Sequence, residues 1–561
     1  MAPNIAGAAG AVPFSGEDPA TGTRTVTIAD ITDFHGHIEH GADVAAAFTL
    51  ADSHNPDNMV PVSTGDLVGG SPYESAVKQD KPTLDMAKVW GLTVSAVGNH
   101  EFDRSVADFN NRVAAPANGI DWLCANVSSA NKSATGKLSH VKDYTIRTVN
   151  GKRIGFVGAL TDALGSVATP QITEDADLSE RAVDALNRVA GELKRSGKVD
   201  AVVALLHADA SAATGLGRDV DLAYTGHTHA VKQGVADGGA PIYEAGSFGQ
   251  NMAVQDLIIT GHGRHAKVQV ADVNLGNGTE ATAVPGVLNV EGLDAHPRQA
   301  AWMSAGVVSN GSVARSRQLY TKAKDYAASA GNAVIGTLAP GTNFDKRTSV
   351  GHEGSVGMLV ADANRESIMR NVYAGTRLPV VGFSNNGSLR TKQLDMDEDG
   401  KVTIREVDSL MALQFHAAHE TLTGLGLKAV LAQQFHRNDD GELEHRWLGI
   451  SSNVRYRYVQ CGDGGATCTL GDSDGNGNQH TGVKATVGIV DLTIDGRPIA
   501  DDDLVIIASN SYLLQGGDNY SAFRAGSNYG ELEMSYTQSL HEYLAAHPKL
   551  SAAVPETGTR A

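Results

Sequence analysis

Eight side chains of metal-binding type lie in five short motifs, each set just after an apolar run. Asp33-Phe34-His35 follows Val26-Thr27-Ile28-Ala29-Asp30-Ile31, and Gly65-Asp66 follows Val60-Pro61-Val62. Gly98-Asn99-His100-Glu101-Phe102-Asp103 follows Val94-Ser95-Ala96-Val97, and His207 ends the run that begins at Ala201. Gly226-His227-Thr228-His229 follows Val220-Asp221-Leu222-Ala223-Tyr224. Imidazole, carboxylate and amide oxygen together suit Zn, Mn, Fe or Co, and the scarcity of cysteine argues against a thiolate zinc site. Seven such ligands sharing one carboxylate make a two-metal centre, with ions roughly 3.5–4 Å apart, which can clamp the attacking and leaving oxygens of a phosphoryl displacement. Singly, each motif reads as well as a satisfied histidine, or as a turn in which Gly supplies positive φ and Asp or Asn caps the backbone. The ordered series is the specific signal.

Residues this far apart meet only if a sheet gathers them. From Arg24 to Leu275 strand-like runs such as Arg153–Leu160 alternate with helical stretches such as 179–197, which predicts a layered α/β domain over 25–296. Open α/β sheets bind ligands outside the carboxyl ends of their strands, where all five motifs place their polar groups. A linking helix is expected over 297–334 and a second α/β domain over 335–552, with a helix at Gly354–Met369 and strands at Leu378–Phe383 and Leu504–Ala508. Residues 1–24 read as a disordered Ala/Gly/Pro-rich segment, and 553–561 as a tail.

A chain of 561 residues exceeds one ordinary core, so two large domains are expected. With 45 Lys+Arg against 64 Asp+Glu the net charge is −19, which argues against wrapping a nucleic acid polymer. A small phosphate ester stays admissible, because bound metal reverses the local potential of a cleft. No apolar run is long enough to span a membrane, and no signal peptide is visible. Cys124 reads as a buried small hydrophobe, whereas Cys461 and Cys468 could close a small ring or stay two free thiols.

The motif series resembles the calcineurin-like metallophosphoesterases, and Gly98–Asp103 resembles their 5′-nucleotidase branch. Asn386-Gly387-Ser388-Leu389-Arg390 and the stretch from Asn510 to Tyr520 are similar to signatures of the nucleotidase C-terminal domain. The resemblance covers both domains. It implies a four-layer α/β/β/α catalytic domain joined by a helix to a second α/β domain that selects the nucleotide. It implies that Asp33, His35, Asp66 and His229 hold one metal, and that Asp66, Asn99, His207 and His227 hold the other, with Asp66 bridging. His100 and Asp103 become a catalytic pair beside the metals, a role in which an imidazolium held by a carboxylate would stabilise phosphoryl charge. The bland alternative for Asp103 is a solvated residue at a helix start. His37 and Glu101 read as supporting groups.

The same resemblance implies that Phe415 and Tyr512 stack a base, that Asp518 accepts a ribose hydroxyl beside Gly517, and that Arg390 contacts the phosphate or the substrate edge. Core packing is the competing reading of both aromatics. The chain departs from the family pattern in three places: Phe415-His416-Ala417 lacks an Asn contact to the base; Asn385-Asn386-Gly387-Ser388 replaces a Gly-Gly-Gly run before the arginine, and Asn385 or Asn386 can substitute for the missing contact; and Val350 stands where an arginine is usual, with Lys346 and Arg347 nearby. Independently, Asp395 to Glu406 satisfies the twelve-residue spacing of a calcium loop, with Asp395, Asp397, Asp399, the Lys401 carbonyl and Glu406 as ligands; an acidic turn is the alternative.

The expectation is therefore a monomeric 5′-nucleotidase-like hydrolase, secreted, periplasmic or on the cell surface, acting on a small nucleotide through two Zn, Mn or Co ions. A 2′,3′-cyclic-nucleotide phosphodiesterase/3′-nucleotidase or a UDP-sugar hydrolase would use the same scaffold. A thiosulfohydrolase would have no use for the aromatics, and a calcium-binding surface protein with a vestigial centre is the non-enzymatic alternative.

Overall fold

The computed structural model describes residues 17–18, 22–276, 280–295, 310–346, 354–413, 415–437, 443–460, 469–473, 479–484, 487–552 and 558–560. Two compact units result, Met1–Leu164 with Gln171–Tyr326, and Gly165–Pro170 with Ala327–Ala561.

Unit 1 holds two sheets. Thr23–Ile31 lies central in the first, parallel to Met59–Ser63, which is followed by the parallel strands Val94–Ala96, Asp121–Leu123 and Val141–Lys142. Its other neighbour is the antiparallel Asn251–Thr260. The second sheet runs Val231–Val235, Pro241–Ala245, Leu222–Thr225, Ala201–His207, Lys152–Leu160 and Tyr144–Val149. Val26, Ile28, Val60 and Val62 of the first sheet pack against Phe156, Val203, Leu205 and Tyr224 of the second. Because every other residue of these strands faces that core and the intervening ones face helices, the strands read as nearly continuous apolar runs. Helix Ala182–Arg195 lays Leu186, Val189 and Leu193 on the outer face of the second sheet, and Gly41–His54 packs outside the first. The layers are α/β/β/α.

Unit 2 centres on a five-stranded sheet in the order Leu448–Ile450, Val380–Asn385, Leu504–Asn510, His416–Thr423 and Ser527–Ser535. Val380–Asn385 and Leu504–Asn510 pair in parallel. Helix Ser355–Asn371 packs on this sheet through Val356, Val360, Ala363 and Ile368. The helix expected over 297–334 is described as Asn310–Gly331, and the division between the units falls within it. Residues 1–16, 296–309, Val350 and the Cys461–Cys468 pair lie outside the described residues. Gly558–Arg560 pairs in parallel with Val454–Gln460, which carries strand structure into a segment expected to be only a tail.

Candidate functional site

In unit 1 the five motifs follow the carboxyl ends of five strands, three in one sheet and two in the other. Thr32-Asp33 leaves Thr23–Ile31, Asp66 follows Met59–Ser63, and Asn99 follows Val94–Ala96. His207 closes its own strand, and His227 follows Leu222–Thr225. The chain must turn sharply at each exit to aim a side chain inward. Asp33, His35, Asp66, His227 and His229 all have positive φ, between 46° and 76°. Such residues persist only where surrounding contacts over-determine them, and they cluster at functional sites. The glycines of the motifs answer a second constraint. A Cβ at Gly98 would collide with the Asp66 carboxylate, and one at Gly226 with Thr32 and Asp33.

Among the described residues three groups bring ligand atoms within 4.8 Å of one another: Asp33, His35 and His229; His35, Asp66 and His100; Asp66, His207 and His227. Asp66 faces His207 at 3.1 Å and His35 at 3.6 Å. Asn99 Oδ1 lies 3.2 Å from His207 Nε2. The His227 amide donates to both carboxylate oxygens of Asp33, at 3.1 and 3.0 Å. All seven expected ligands thus belong to one cluster, largely buried.

The donor chemistry of this cluster fits cations. His207 Nδ1 lies 2.8 Å from the Thr64 carbonyl, and His35 Nδ1 lies 2.8 Å from that of Gly69. A carbonyl only accepts, so Nδ1 carries the hydrogen and a neutral ring leaves a bare lone pair on Nε2. That lone pair meets Asp66 and Asn99 oxygens in one case and His229 Nε2, at 3.1 Å, in the other. Lone pairs aimed at one another repel unless a proton or a metal lies between them. A proton on His207 relieves the first of these contacts. Burial disfavours the His207 imidazolium, but Asp66, Asp33 and Glu101 raise it to about 10. Burial acts against the Asp66 carboxylate too, yet His207 and His100 hold it well below its usual range. Burial, countered by His207 and reinforced by Asp66, pushes Asp33 up to about 7. Burial and His207 press His227 down to about 4, leaving it a neutral ligand.

His100 and Asp103 sit on one turn of 3-10 helix, with Nδ1 at 2.9 and 3.1 Å from the two carboxylate oxygens. Asp103 also accepts the Gly70 amide at 2.9 Å, which fixes it to the Asp66 loop. His100 is in the same 4.8 Å group as His35 and Asp66, so its ring borders the candidate ligand cluster.

Sequence reasoning underrated Glu101. Its buried carboxylate accepts four backbone amides: Asp66 at 2.9 Å and Gly98 at 2.7 Å on Oε2, Leu67 at 2.7 Å and Val68 at 3.2 Å on Oε1. It clamps two ligand loops together. Glu244 does likewise for the last motif, accepting Thr228 Oγ1 at 2.5 Å and the Ala230 amide at 3.3 Å. His37 instead pairs with Glu39 at 2.6 Å.

In unit 2, Phe415 and Tyr512 are near-parallel, 10° apart, with centroids 5.1 Å from each other. A base between two rings needs them about 7 Å apart, twice an ordinary carbon contact. The two aromatics therefore stack on each other in this structure. Tyr512 is also backed by Gly517, where a Cβ would meet the ring at 2.5 Å. Asp518, at φ 52°, accepts Tyr512 Oη at 2.8 Å and Asn385 Nδ2 at 2.7 Å. Arg390 anchors through its amide to the Leu410 carbonyl at 2.8 Å and lies close enough to Lys346 to lower that lysine's pKa after burial has done so. A cavity of about 320 Å³ takes Asn385, Asn386, Gly387 and Asp518 as walls, together with Trp447 and Tyr520. Of the expected substrate residues, Asn386 and Asp518 line it, while Arg390, Phe415, Tyr512 and Gly517 are not among its walls. Trp447 was missed. It stacks on His445, 3.4 Å between centroids, and Phe435 covers the opposite face of that ring at 4.0 Å.

The calcium-type loop closes as a turn. Asp395 accepts the Gly400 amide at 2.7 Å, and Thr403 with Glu406 forms a reciprocal capping box on helix Ile404–Leu410. Asp397 pairs with Arg405 at 2.6 Å and Asp399 with Lys401 at 3.0 Å.

Comparison with known proteins bears on the fold and on the second domain. Residues 334–525 match the family model of the 5′-nucleotidase C-terminal domain. The cell wall protein Lmo0130 of Listeria monocytogenes is 24% identical over 91% of this chain, which spans 66% of that longer protein. Protein 5NUC of Lutzomyia longipalpis is 22% identical, with 87% of this chain and 81% of its own length aligned. The 5′-nucleotidase precursor from Thermus thermophilus superposes with a TM-score of 0.64 at 15% identity, covering 96% of this chain and 99% of its own. Residues 334–525 thus belong to the 5′-nucleotidase C-terminal domain family, and the chain as a whole has the two-domain fold of the 5′-nucleotidases.

Proposed function

We propose that the protein hydrolyses nucleoside 5′-phosphates to nucleoside and phosphate. The observation that carries the reading is Asp66, one carboxylate within 3.6 Å of an imidazole from each of two ligand groups. Asp33, His35 and His229 with Asp66 would hold one divalent transition metal, Zn, Mn or Co. Asn99, His207 and His227 with the same Asp66 would hold the second. When bound, such ions neutralise phosphoryl charge and lower the pKa of water to about 7. The chain's own contribution is orientation and charge. Thr64 and Gly69 carbonyls fix the tautomers of His207 and His35. Glu101 fixes the Asp66 and Gly98 backbones. His100, its Nδ1 engaged by Asp103, offers Nε2 to a phosphoryl oxygen, where a charged donor stabilises the transition state more than the ground state.

For the nucleoside, unit 2 supplies polar groups and aromatics at one cavity. Asp518 can accept a ribose hydroxyl, and Asn385 and Asn386 replace the Asn that the Phe415-His416-Ala417 stretch lacks. Arg390 would bind the phosphate or the substrate edge, and Phe415 with Tyr512 would open to admit a base. Residues 395–406 would bind calcium by moving Asp397 and Asp399 off their ion pairs. A secreted or surface location is supported by the cell wall relative; among the described residues no helix is long and apolar enough to cross a membrane.

Phosphate release from AMP, UDP-glucose, 2′,3′-cyclic AMP and p-nitrophenyl phosphate by the Mn- or Zn-loaded protein tests the reading. AMP should be turned over fastest. A preference for UDP-glucose or the cyclic nucleotide would move the assignment to a UDP-sugar hydrolase or a cyclic phosphodiesterase.

A further inference from the structure

Phe248 is the only apolar residue among the described non-glycine residues with positive φ, at 60°. The others are Asp, Asn, Glu, Gln and His, most of them types that tolerate the left-handed region. It occupies the turn between strands Pro241–Ala245 and Asn251–Thr260, closed by the Gln250 amide on the Ser247 carbonyl at 3.1 Å. Gly249 follows at φ 71°, so both central residues lie where primed turns require Asn, Asp or Gly. A bulky aromatic is the wrong residue for this backbone, and such an outlier calls for a functional reason.

The surroundings supply one. The Phe248 amide donates to the Asp33 carbonyl at 2.8 Å. Its ring meets His229 edge-on, 5.1 Å between centroids and 82° between planes, and lies 5.9 Å from His35. Gly249 is locked beneath it, since a Cβ there would touch Phe34 and Val44 at 2.9 Å. One residue therefore touches Asp33, His35 and His229, the whole of one ligand group. No ring contact joins it to His207 or His227 among the described residues.

We propose that Phe248 is a positioning residue for only one of the two metal ions, the one held by Asp33, His35 and His229. The ring rests on His37, 4.1 Å between centroids, and the strained turn holds it from there against the His229 and His35 imidazoles, which fixes their rotamers before the ion arrives. This rests on the two-metal reading above. Removing an outer partner of a metal-bound histidine lowers affinity by roughly 10- to 100-fold.

The test is a Co²⁺ or Mn²⁺ titration of wild type, Phe248→Ala, Phe248→Asn and Phe248→Tyr, followed by calorimetry and, for Co²⁺, by the visible ligand-field spectrum. Wild type should bind two ions per chain; fewer than two defeats the two-metal reading itself. Given two, Ala and Asn should weaken one binding step about 10- to 100-fold, leave the other within twofold and change the spectrum of the weakened ion. Tyr should restore both steps. Asn suits positive φ, so that variant keeps the metal-free fold and separates positioning from folding. Two unchanged steps, two equally weakened steps, or failure of Tyr to restore affinity would each overturn the inference.

Discussion

Glu101 accepts the backbone amide of Asp66 at 2.9 Å, and with the same oxygen the amide of Gly98 at 2.7 Å. The carboxylate that bridges the two ligand groups is thus aimed by a second carboxylate one loop away. Burial and the charge of Asp66 push the Glu101 carboxyl up, yet both its oxygens meet only N–H donors, four in all, with nothing to accept a proton. We take it as ionised at neutral pH.

Replacing Glu101 by Gln puts an NH₂ where two of those amides point. Buried donors left facing a donor cost about 1–3 kcal/mol each, so the variant should lose about 2–6 kcal/mol of unfolding free energy. Because the same amides aim Asp66 and Asn99, transition-metal affinity should fall as well. Urea denaturation of the metal-free protein and a metal titration of the survivor separate the two losses. Unchanged stability would mean that the four contacts are incidental.

The gathering of the candidate ligands was legible in the sequence because each of them follows an apolar strand, and parallel strands deliver their carboxyl ends to one edge. Val60-Pro61-Val62 and Leu222-Ala223-Tyr224 needed no tertiary information to be recognised. Glu101 was legible only as a supporting group, without the amides it holds, and Phe248 was not legible at all. The first acts through backbone amides of Asp66, Leu67 and Val68, which pairwise side-chain motifs do not encode. The second is an ordinary aromatic in Ala245-Gly246-Ser247-Phe248-Gly249, and only its dihedral angle marks it. Trp447 escaped for a third reason: it stacks on His445, whose other face is covered by Phe435, and the pairing of Phe435–Arg437 with Leu443–His445 is needed to build that stack.

His100 borders the candidate ligand cluster without being one of the seven expected ligands, and metal content can tell ligand from catalyst. His100→Ala should lower kcat by about 10²- to 10³-fold while two ions remain bound. Asp66→Asn should instead lose metal, since its carboxylate faces both ligand groups. Loss of an ion in His100→Ala would move that residue into the ligand set, which its place beside His35 and Asp66 makes a real alternative.

Glu420 offers a pH signature far in sequence from the candidate ligand cluster. It is 2% exposed on the strand His416–Thr423, and its Oε1 has no hydrogen-bond partner. Burial alone raises its pKa well above the ordinary 4.5. The folded protein therefore keeps a proton that the unfolded chain has released, so stability falls as pH rises above 4.5, by up to about 1.4 kcal/mol per pH unit until the folded pKa is reached. Below 4.5 both states are protonated and the penalty vanishes. Glu420→Gln should remove this slope, so that its stability advantage over wild type grows between pH 4.5 and 7 and is constant in more acid solution. Denaturation curves at a series of pH values measure it, and parallel wild-type and variant profiles would contradict a buried neutral acid.

Two aromatic surfaces compete for the base. Phe415 and Tyr512 face each other at 5.1 Å, leaving no gap, whereas Trp447 lines the cavity that also holds Asn385, Asn386 and Asp518. His445 behind Trp447 is pressed by burial to a pKa of about 3, so the stack is neutral and suited to a π-face. Stacking one base is worth roughly 1–3 kcal/mol, or about 5- to 150-fold in kcat/KM. If the paired rings open to take the base, Phe415→Ala should show that loss on AMP and none on a phosphate ester that carries no base. If the base lies in the cavity as it stands, Trp447→Ala should show it and Phe415→Ala should not. Equal effects of either variant on AMP and on the baseless ester would remove both surfaces from substrate recognition, since a group that contacts only the base cannot alter turnover of a substrate without one.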